Sequence, residues 1–84
     1  MVTIDLKLVA KELAPGLENG EHTFEDGTIV REVIALFAGR NGAAMPPENN
    51  CKLMYHLFNG KPVTLDTAIT QSGTLHICRI AMGG

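Results

Sequence analysis

The sequence carries almost no net charge. Seven Lys and Arg residues stand against nine Asp and Glu residues, which gives a formal charge of −2 at pH 7. Domains that bind nucleic acid usually present a basic patch to the phosphate backbone. We therefore expect no DNA or RNA partner.

Long apolar runs and cysteines are also scarce. No run approaches the roughly 20 residues that cross a bilayer, and the N-terminal MVTIDLKLVA lacks the basic segment and unbroken apolar stretch of a secretory signal. Two cysteines, Cys51 and Cys78, are too few for a disulfide scaffold. We expect a cytoplasmic protein with no membrane partner, in which both cysteines are thiols.

The chain does contain enough apolar material for one small core. Hydrophobic residues make up 45% of its 84 residues, whereas disorder requires low hydrophobicity together with high net charge. A chain of this size builds a single core. We predict one domain over residues 1–84, with a Gly-Gly tail at 82–84.

The first part of the chain predicts a β-hairpin. VTIDLKL alternates apolar and polar residues with the period of a half-buried strand. Turn-forming residues follow in ELAPGLENGE. EHTFE then predicts a second strand that pairs with the first.

A helix is predicted next. In EDGTIVREVIALFAG, apolar residues recur at i, i+3, i+4 and i+7, which places them on one stripe of a helix. Thr28 is the predicted N-cap and Gly39 the predicted C-terminal cap. The residues of the stripe are Val30, Val33, Ile34 and Phe37.

The remaining segments predict strands. NGAAMPPENN is a loop, because its two prolines exclude a helix or a central strand. LMYHLF predicts a strand that meets the hairpin turn Asn59-Gly60. KPVTLDTAI predicts a short return strand and a turn, and TLHICRIAM predicts a closing strand. Two hairpins around one helix favour an α+β fold, the ubiquitin-like β-grasp, in which a mixed β-sheet packs on one main α-helix.

The order of these segments resembles that of the ubiquitin-like sulfur carriers, the MoaD/ThiS family, which includes the small subunit of molybdopterin synthase and the thiamine-pathway carrier. VTIDLKLVAKELAPG resembles the family's first strand and loop, and GTIVREVI resembles the start of its helix. FNGKPVTLDTAITQSG resembles its Asn-Gly hairpin and the turn after it, and the terminal GG resembles its active end. SGTLHICRIAMGG also resembles the closing strand of ubiquitin.

The sulfur-carrier resemblance implies a reaction at the last residue. A C-terminal carboxylate has a pKa of about 3.5 and is a poor electrophile at neutral pH. The resemblance implies that an adenylating partner enzyme joins Gly84 to AMP from ATP, and that sulfur from a persulfide then leaves a thiocarboxylate. Glycine has no Cβ, so Gly83 and Gly84, at the end of a tail that begins at Met82, can enter a narrow channel. The carrier would bind no cofactor of its own and would not be an enzyme.

The resemblance also implies a sulfur-acceptor synthase as partner. It would be similar to the large subunit of molybdopterin synthase or to thiazole synthase, with molybdopterin or tungstopterin biosynthesis favoured over thiamine biosynthesis. Two alternatives stay open. One is a ubiquitin-like modifier joined through Gly84 to lysines of other proteins, and the other is a plain interaction module with an inert tail.

The closing strand suggests a docking surface. Leu75 and Ile77 are predicted to face the helix, which turns the alternate residues outward beside one face of the LMYHLF strand. An exposed apolar patch in a small protein often marks a partner site. Alternatively, the loop at 41–50 covers these side chains. The candidate docking residues are Met54, Phe58, His76, Cys78 and Ile80.

A metal site is a weaker interpretation of the same region. His76 and Cys78 are two residues apart on a strand, and Cys51 with His56 could complete a set of four ligands. C-x4-H combined with H-x-C is not a common zinc spacing. We predict no metal site.

Overall fold

The structure is a computed structural model, and it describes residues 1–9, 17–40, 42 and 54–79. The predicted order of elements is confirmed, and two strands of two residues each, β3 and β6, are added to it. The helix of the described residues, 11 residues long, is too short to cross a bilayer. The elements are β1 (Val2–Leu8), β2 (Gly20–Phe24), β3 (Thr28–Ile29), α1 (Val30–Arg40), β4 (Met54–Phe58), β5 (Lys61–Val63), β6 (Ala68–Ile69) and β7 (Gly73–Arg79).

Five strands form a mixed sheet in the order β2-β1-β7-β4-β5. β1 pairs antiparallel with β2 and parallel with β7, and β7 pairs antiparallel with β4. β3 and β6 form a separate two-stranded sheet. A mixed sheet on one helix is the β-grasp that the sequence predicts, and β7 is its central strand.

The helix packs its apolar stripe on the inner face of the sheet. The four predicted residues of the stripe are at most 2% exposed, as is Ala38. They share one hydrophobic cluster with the even-numbered residues of β1 and with Leu75 and Ile77 of β7. Because full burial of such a side chain contributes about 1.5–3 kcal/mol, this cluster accounts for most of the attraction between helix and sheet.

The start of the helix differs from the prediction. Thr28 lies in β3, and its hydroxyl donates to the Glu25 carbonyl oxygen at 2.7 Å, so the predicted N-cap is wrong. The first helical N–H groups instead donate to carbonyl oxygens of a distant turn. Val30 donates to Thr67 at 3.0 Å and Arg31 to Leu65 at 2.8 Å. Backbone from the segment between β5 and β6 therefore replaces the local cap.

The end of the helix also differs. The helix continues through Gly39 to Arg40, so the predicted cap at Gly39 is wrong. Gly42 has a φ of 70°, and its N–H donates to the Gly39 carbonyl oxygen at 3.1 Å. Glycine adopts positive φ without steric cost, so the glycine three residues later ends the helix.

The Asn59-Gly60 turn is confirmed and also anchors β7. Both residues have positive φ, 53° and 81°, as a type I′ turn requires. The Asn59 side chain accepts from the Thr74 N–H at 3.0 Å and donates to the Ser72 carbonyl oxygen at 3.4 Å. Gly73 lies so close that a Cβ there would collide with the Asn59 side chain. The hairpin turn therefore fixes the place where β7 begins.

Candidate functional site

The residues predicted to carry the chemistry lie outside the described residues. These are Met82, Gly83 and Gly84, and the predicted docking residue Ile80 also lies outside. β7 precedes them in the sequence and ends at Arg79 in the middle of the sheet, paired on both sides. The end of β7 is therefore the described element that is nearest to them in sequence. β1 and β4 lie beside it in the sheet.

β7 turns its side chains alternately inward and outward. Leu75 and Ile77 are 0% and 1% exposed and face the helix, whereas His76 and Cys78 are half-buried on the outer face. This orientation is the predicted one. His76 and Cys78 are therefore placed where a partner can reach them, and their docking role stays a prediction.

The face of β4 that was predicted to be exposed is buried, and the opposite face is exposed. Met54 and Phe58 are 6% and 7% exposed and belong to the core. Side chains in the core cannot meet a partner, so their assignment to a docking surface is wrong. Tyr55, which is 44% exposed, and Leu57 occupy the outer face instead. Both faces of LMYHLF are apolar, so the alternation did not show which one is covered.

Strand pairing places these outer residues beside those of β7. Tyr55 pairs with Cys78 and Leu57 with His76. On the other side of β7, Val9 is 65% exposed, and its N–H donates to the Ile77 carbonyl oxygen at 2.9 Å, which continues the β1–β7 ladder. We name this surface, formed by Val9, Tyr55, Leu57, His76 and Cys78, the outer patch.

Three residues of the outer patch, Val9, Tyr55 and Leu57, were missed by the sequence analysis. Val9 extends the odd-numbered, outward face of β1 by one further step, and this continuation is the signal that could have found it. The loop at 41–50, the predicted alternative cover, lies outside the described residues except for Gly42. The outer patch is mostly apolar, as a docking surface would be.

The centre of the outer patch holds a phenol beside a thiol. A hydrogen bond with the Cys78 side chain, together with the charge that Cys78 carries when ionised, raises the pKa of the Tyr55 hydroxyl. Tyrosine ordinarily ionises near pH 10, so Tyr55 is protonated at neutral pH. This part of the surface therefore offers a neutral hydroxyl and apolar atoms to a partner.

His56 lies on the other side of the sheet. It is 6% exposed, and its Nε2 has no hydrogen-bond partner among the described residues. Burial lowers the pKa of its imidazole, which is therefore neutral at pH 7. His56 cannot join His76 and Cys78 across the sheet, and Cys51 lies outside the described residues. Residues 1–9, 17–40, 42 and 54–79 bring no three potential metal ligands together.

The fold defines the class of the chain as a ubiquitin-like β-grasp domain, and solved structures share this fold, among them the following two. One is a Pyrococcus furiosus protein assigned as molybdopterin converting factor, subunit 1, with a TM-score of 0.62 and 18% identity over 94% of this chain and 98% of that one. The other is SAMP1 from Haloferax volcanii, with a TM-score of 0.67 and 17% identity over 98% of this chain and 99% of that one.

Comparisons of sequence add nothing to this likeness. Neither protein-family models nor curated proteins match the chain. Each of the two structural matches covers nearly the full length of this chain and of the matched chain, so they confirm the predicted fold.

Proposed function

We propose that the chain is a ubiquitin-like sulfur carrier that is loaded at Gly84. The observation that carries this proposal is the shared fold, over 94% of this chain, with a protein assigned as a molybdopterin converting factor subunit. The Gly83-Gly84 pair, which follows the central strand in sequence, supports it. The proposal requires that Gly84 be the C-terminal residue of the protein in the cell.

The proposed loading takes place in the active site of a partner enzyme. The Gly84 carboxylate attacks the α-phosphorus of ATP, which forms an acyl-adenylate and releases pyrophosphate. The terminal sulfur of a partner's persulfide then attacks the acyl carbon and releases AMP. A second thiol reduces the resulting S–S bond, and the thiocarboxylate is freed to give its sulfur to an acceptor.

The described residues have a supporting part in this proposal. Arg79, the last residue of β7, pairs with Met54 of β4, which holds it at a fixed place in the sheet. The outer patch is the proposed docking surface for the adenylating enzyme, with Tyr55 and Leu57 in place of Met54 and Phe58. Apart from the reacting Gly84 carboxylate itself, no general acid, base or nucleophile is needed from this chain. We therefore propose a protein substrate and non-catalytic subunit, not an enzyme.

The proposed acceptor is a synthase of the molybdopterin type, with a thiazole synthase as second choice. The name of the Pyrococcus furiosus relative favours the first. Both partners and the proposed carrier would act in the cytoplasm, where a persulfide donor and free thiols coexist.

The test is the intact mass of the protein isolated from its native host, with a fragment spectrum that covers the last residues. We expect one oxygen replaced by sulfur at Gly84. Gly84 joined to lysines of other proteins would support a modifier instead.

Deletion of Gly84 should abolish loading by purified adenylating enzyme and ATP. Gly39→Ala is the matched control, because a Cβ at this helical position meets nothing within 4 Å. If the deletion leaves all cellular function intact, the chain is an interaction module.

A further inference from the structure

The two edges of the main sheet are built differently. β5, at one edge, has three residues, and one of them is Pro62, which has no N–H to offer. Proline and short length are common protections of an edge strand. β2, at the other edge, has five residues and no proline. β2 is therefore the edge that can accept another strand.

The hydrogen bonds of β1 show which groups of β2 point outward. Val9 donates its N–H toward β7, whereas Leu8 donates its N–H to the Asn19 side chain, on the side of β2. Since these directions alternate along a strand, the even-numbered residues of β1 bond to β2. They are paired with the even-numbered residues of β2. The N–H and C=O groups of Glu21 and Thr23 therefore point away from the sheet.

One contact agrees with this direction. The Arg40 guanidinium donates to the Glu21 carbonyl oxygen at 3.2 Å, from outside the sheet. Arg40 is a long, exposed side chain at the end of α1 and also lies 5.8 Å from the Phe37 ring centre. A segment that bonds to this carbonyl oxygen would have to displace the exposed Arg40 guanidinium.

A groove runs beside this edge. A cavity of about 200 Å³ opens between β2 and the end of α1. Gly20 adds no side chain to it, and a Cβ built there would lie 3.6 Å from the Phe37 ring. Phe24 continues the seam, 6.0 Å from Phe37 between ring centres. An added strand would turn every second side chain toward this seam. Among the described residues, the lining consists of Glu18, Asn19, Gly20, Phe37 and Arg40.

The charge along this edge is negative. Glu18, Glu21, Glu25 and Asp26 are all exposed in or beside β2. Asp26 is paired with the N-terminal amine at 3.1 Å, which leaves three carboxylates against the guanidinium of Arg40. Charge complementarity therefore favours a partner segment with basic side chains.

We propose that the edge of β2 binds an extended segment of a partner protein that carries basic side chains at alternate positions. The segment would bond to the outward N–H and C=O groups of Glu21 and Thr23, as in other complexes formed by strand addition. Its basic side chains would lie on the outer face beside Glu21, and the side chains between them would face the polar groove. This goes beyond the proposed sulfur-carrier function. β2 lies two strands from β7, roughly 10 Å, so a segment bound there leaves His76 and Cys78 of the outer patch uncovered.

The test uses the full ¹⁵N-labelled chain and a capped peptide, Thr-Lys-Val-Lys-Val-Lys. We expect amide shifts confined to β2 and the end of α1, and slower hydrogen exchange at Glu21 and Thr23. Thr23→Pro removes an outward N–H without touching the β1–β2 ladder and should weaken binding at least tenfold. Thr23→Val, the matched control, keeps the N–H and should bind within twofold of the native chain.

Further variants keep the test decisive if Thr23→Pro fails to fold. Glu21→Lys changes an exposed side chain and should weaken the basic peptide at least fivefold. A peptide with Glu in place of each Lys should bind at least tenfold more weakly than the basic one. The proposal would be overturned if the two peptides bound equally well. It would also be overturned if the amide shifts appeared in the outer patch instead of β2, or if the shifts at β2 appeared without peptide, on dimerisation of the chain. Loading of Gly84 is not measured, so the two proposals can fail separately.

Discussion

The inner and outer faces of β4 differ in role but hardly in composition. The inner face carries Met54, His56 and Phe58, and the outer face carries Tyr55 and Leu57. Each face has an aromatic and an aliphatic side chain, so hydrophobicity does not separate them. What separates them is the side on which α1 packs. In a strand that is apolar on both faces, alternation gives the period and tertiary packing decides the side.

The largest test of this difference replaces one aromatic residue on each face. Phe58→Ala should lower the free energy of unfolding by about 3–5 kcal/mol, since it leaves a cavity in the core. Tyr55→Ala removes an exposed side chain and should cost under about 1 kcal/mol. Urea denaturation of the two variants measures both. Equal losses would contradict the assignment of the faces.

The next test concerns Gly73, the first residue of β7, which lies beside the Asn59 side chain. Gly73→Ala places a Cβ against the Asn59 side chain, and such overpacking should cost about 1–3 kcal/mol. Gly39→Ala, in a helix with open space around it, should be neutral or stabilising by up to about 1 kcal/mol. The comparison of their thermal midpoints separates a steric effect at residue 73 from a general intolerance of alanine.

A third test uses the buried imidazole of the inner face. In the unfolded chain His56 has a pKa of about 6.5, and burial lowers this pKa in the fold. Between the two values the unfolded state binds more protons, so stability should fall as the pH drops below about 6.5, by at most about 1.4 kcal/mol per pH unit, until the lower folded pKa is passed. His56→Leu should flatten this part of the profile, measured by urea denaturation at several pH values. His76→Gln, on the outer face, should leave it in place.

The smallest effect is expected at the outer patch. Cys78→Ser should change stability by less than about 0.5 kcal/mol but should bring the pKa of Tyr55 closer to its ordinary value, because the thiol is what raises it. The chain has a single tyrosine, so an ultraviolet titration reports on Tyr55 alone. Cys51→Ser is the control, and an equal change in that variant would show that Cys78 is not the cause.

The parts of the fold that local patterns encode were predictable. The alternation in VTIDLKL, the helical stripe and the Asn59-Gly60 turn each depend on residues close in sequence. Even the fold class follows from their order. The helix caps did not follow, because Val30 and Arg31 donate to carbonyl oxygens of Thr67 and Leu65, which are distant in sequence.

The candidate site was predictable only in part. The alternation of the closing strand correctly turned His76 and Cys78 outward. Met54 and Phe58 were placed with them because no local signal shows which face of β4 meets the helix. Val9 could have been found by continuing the alternation of β1 one step past the end of the strand. The edge of β2 was not visible at all, since an edge exists only once the order of strands is known.

The central place of β7 also affects how the protein is made. β1 and β4 leave the ribosome before β7, yet each has β7 as a sheet neighbour. The sheet therefore closes late in synthesis, by contacts between strands far apart in the chain. A polypeptide whose translation stops before Gly73 lacks the strand that joins the β1–β2 and β4–β5 hairpins, and we expect it to stay open to proteases. The residues that follow β7, where the proposed loading takes place, are therefore made only after every strand of the sheet has been synthesised.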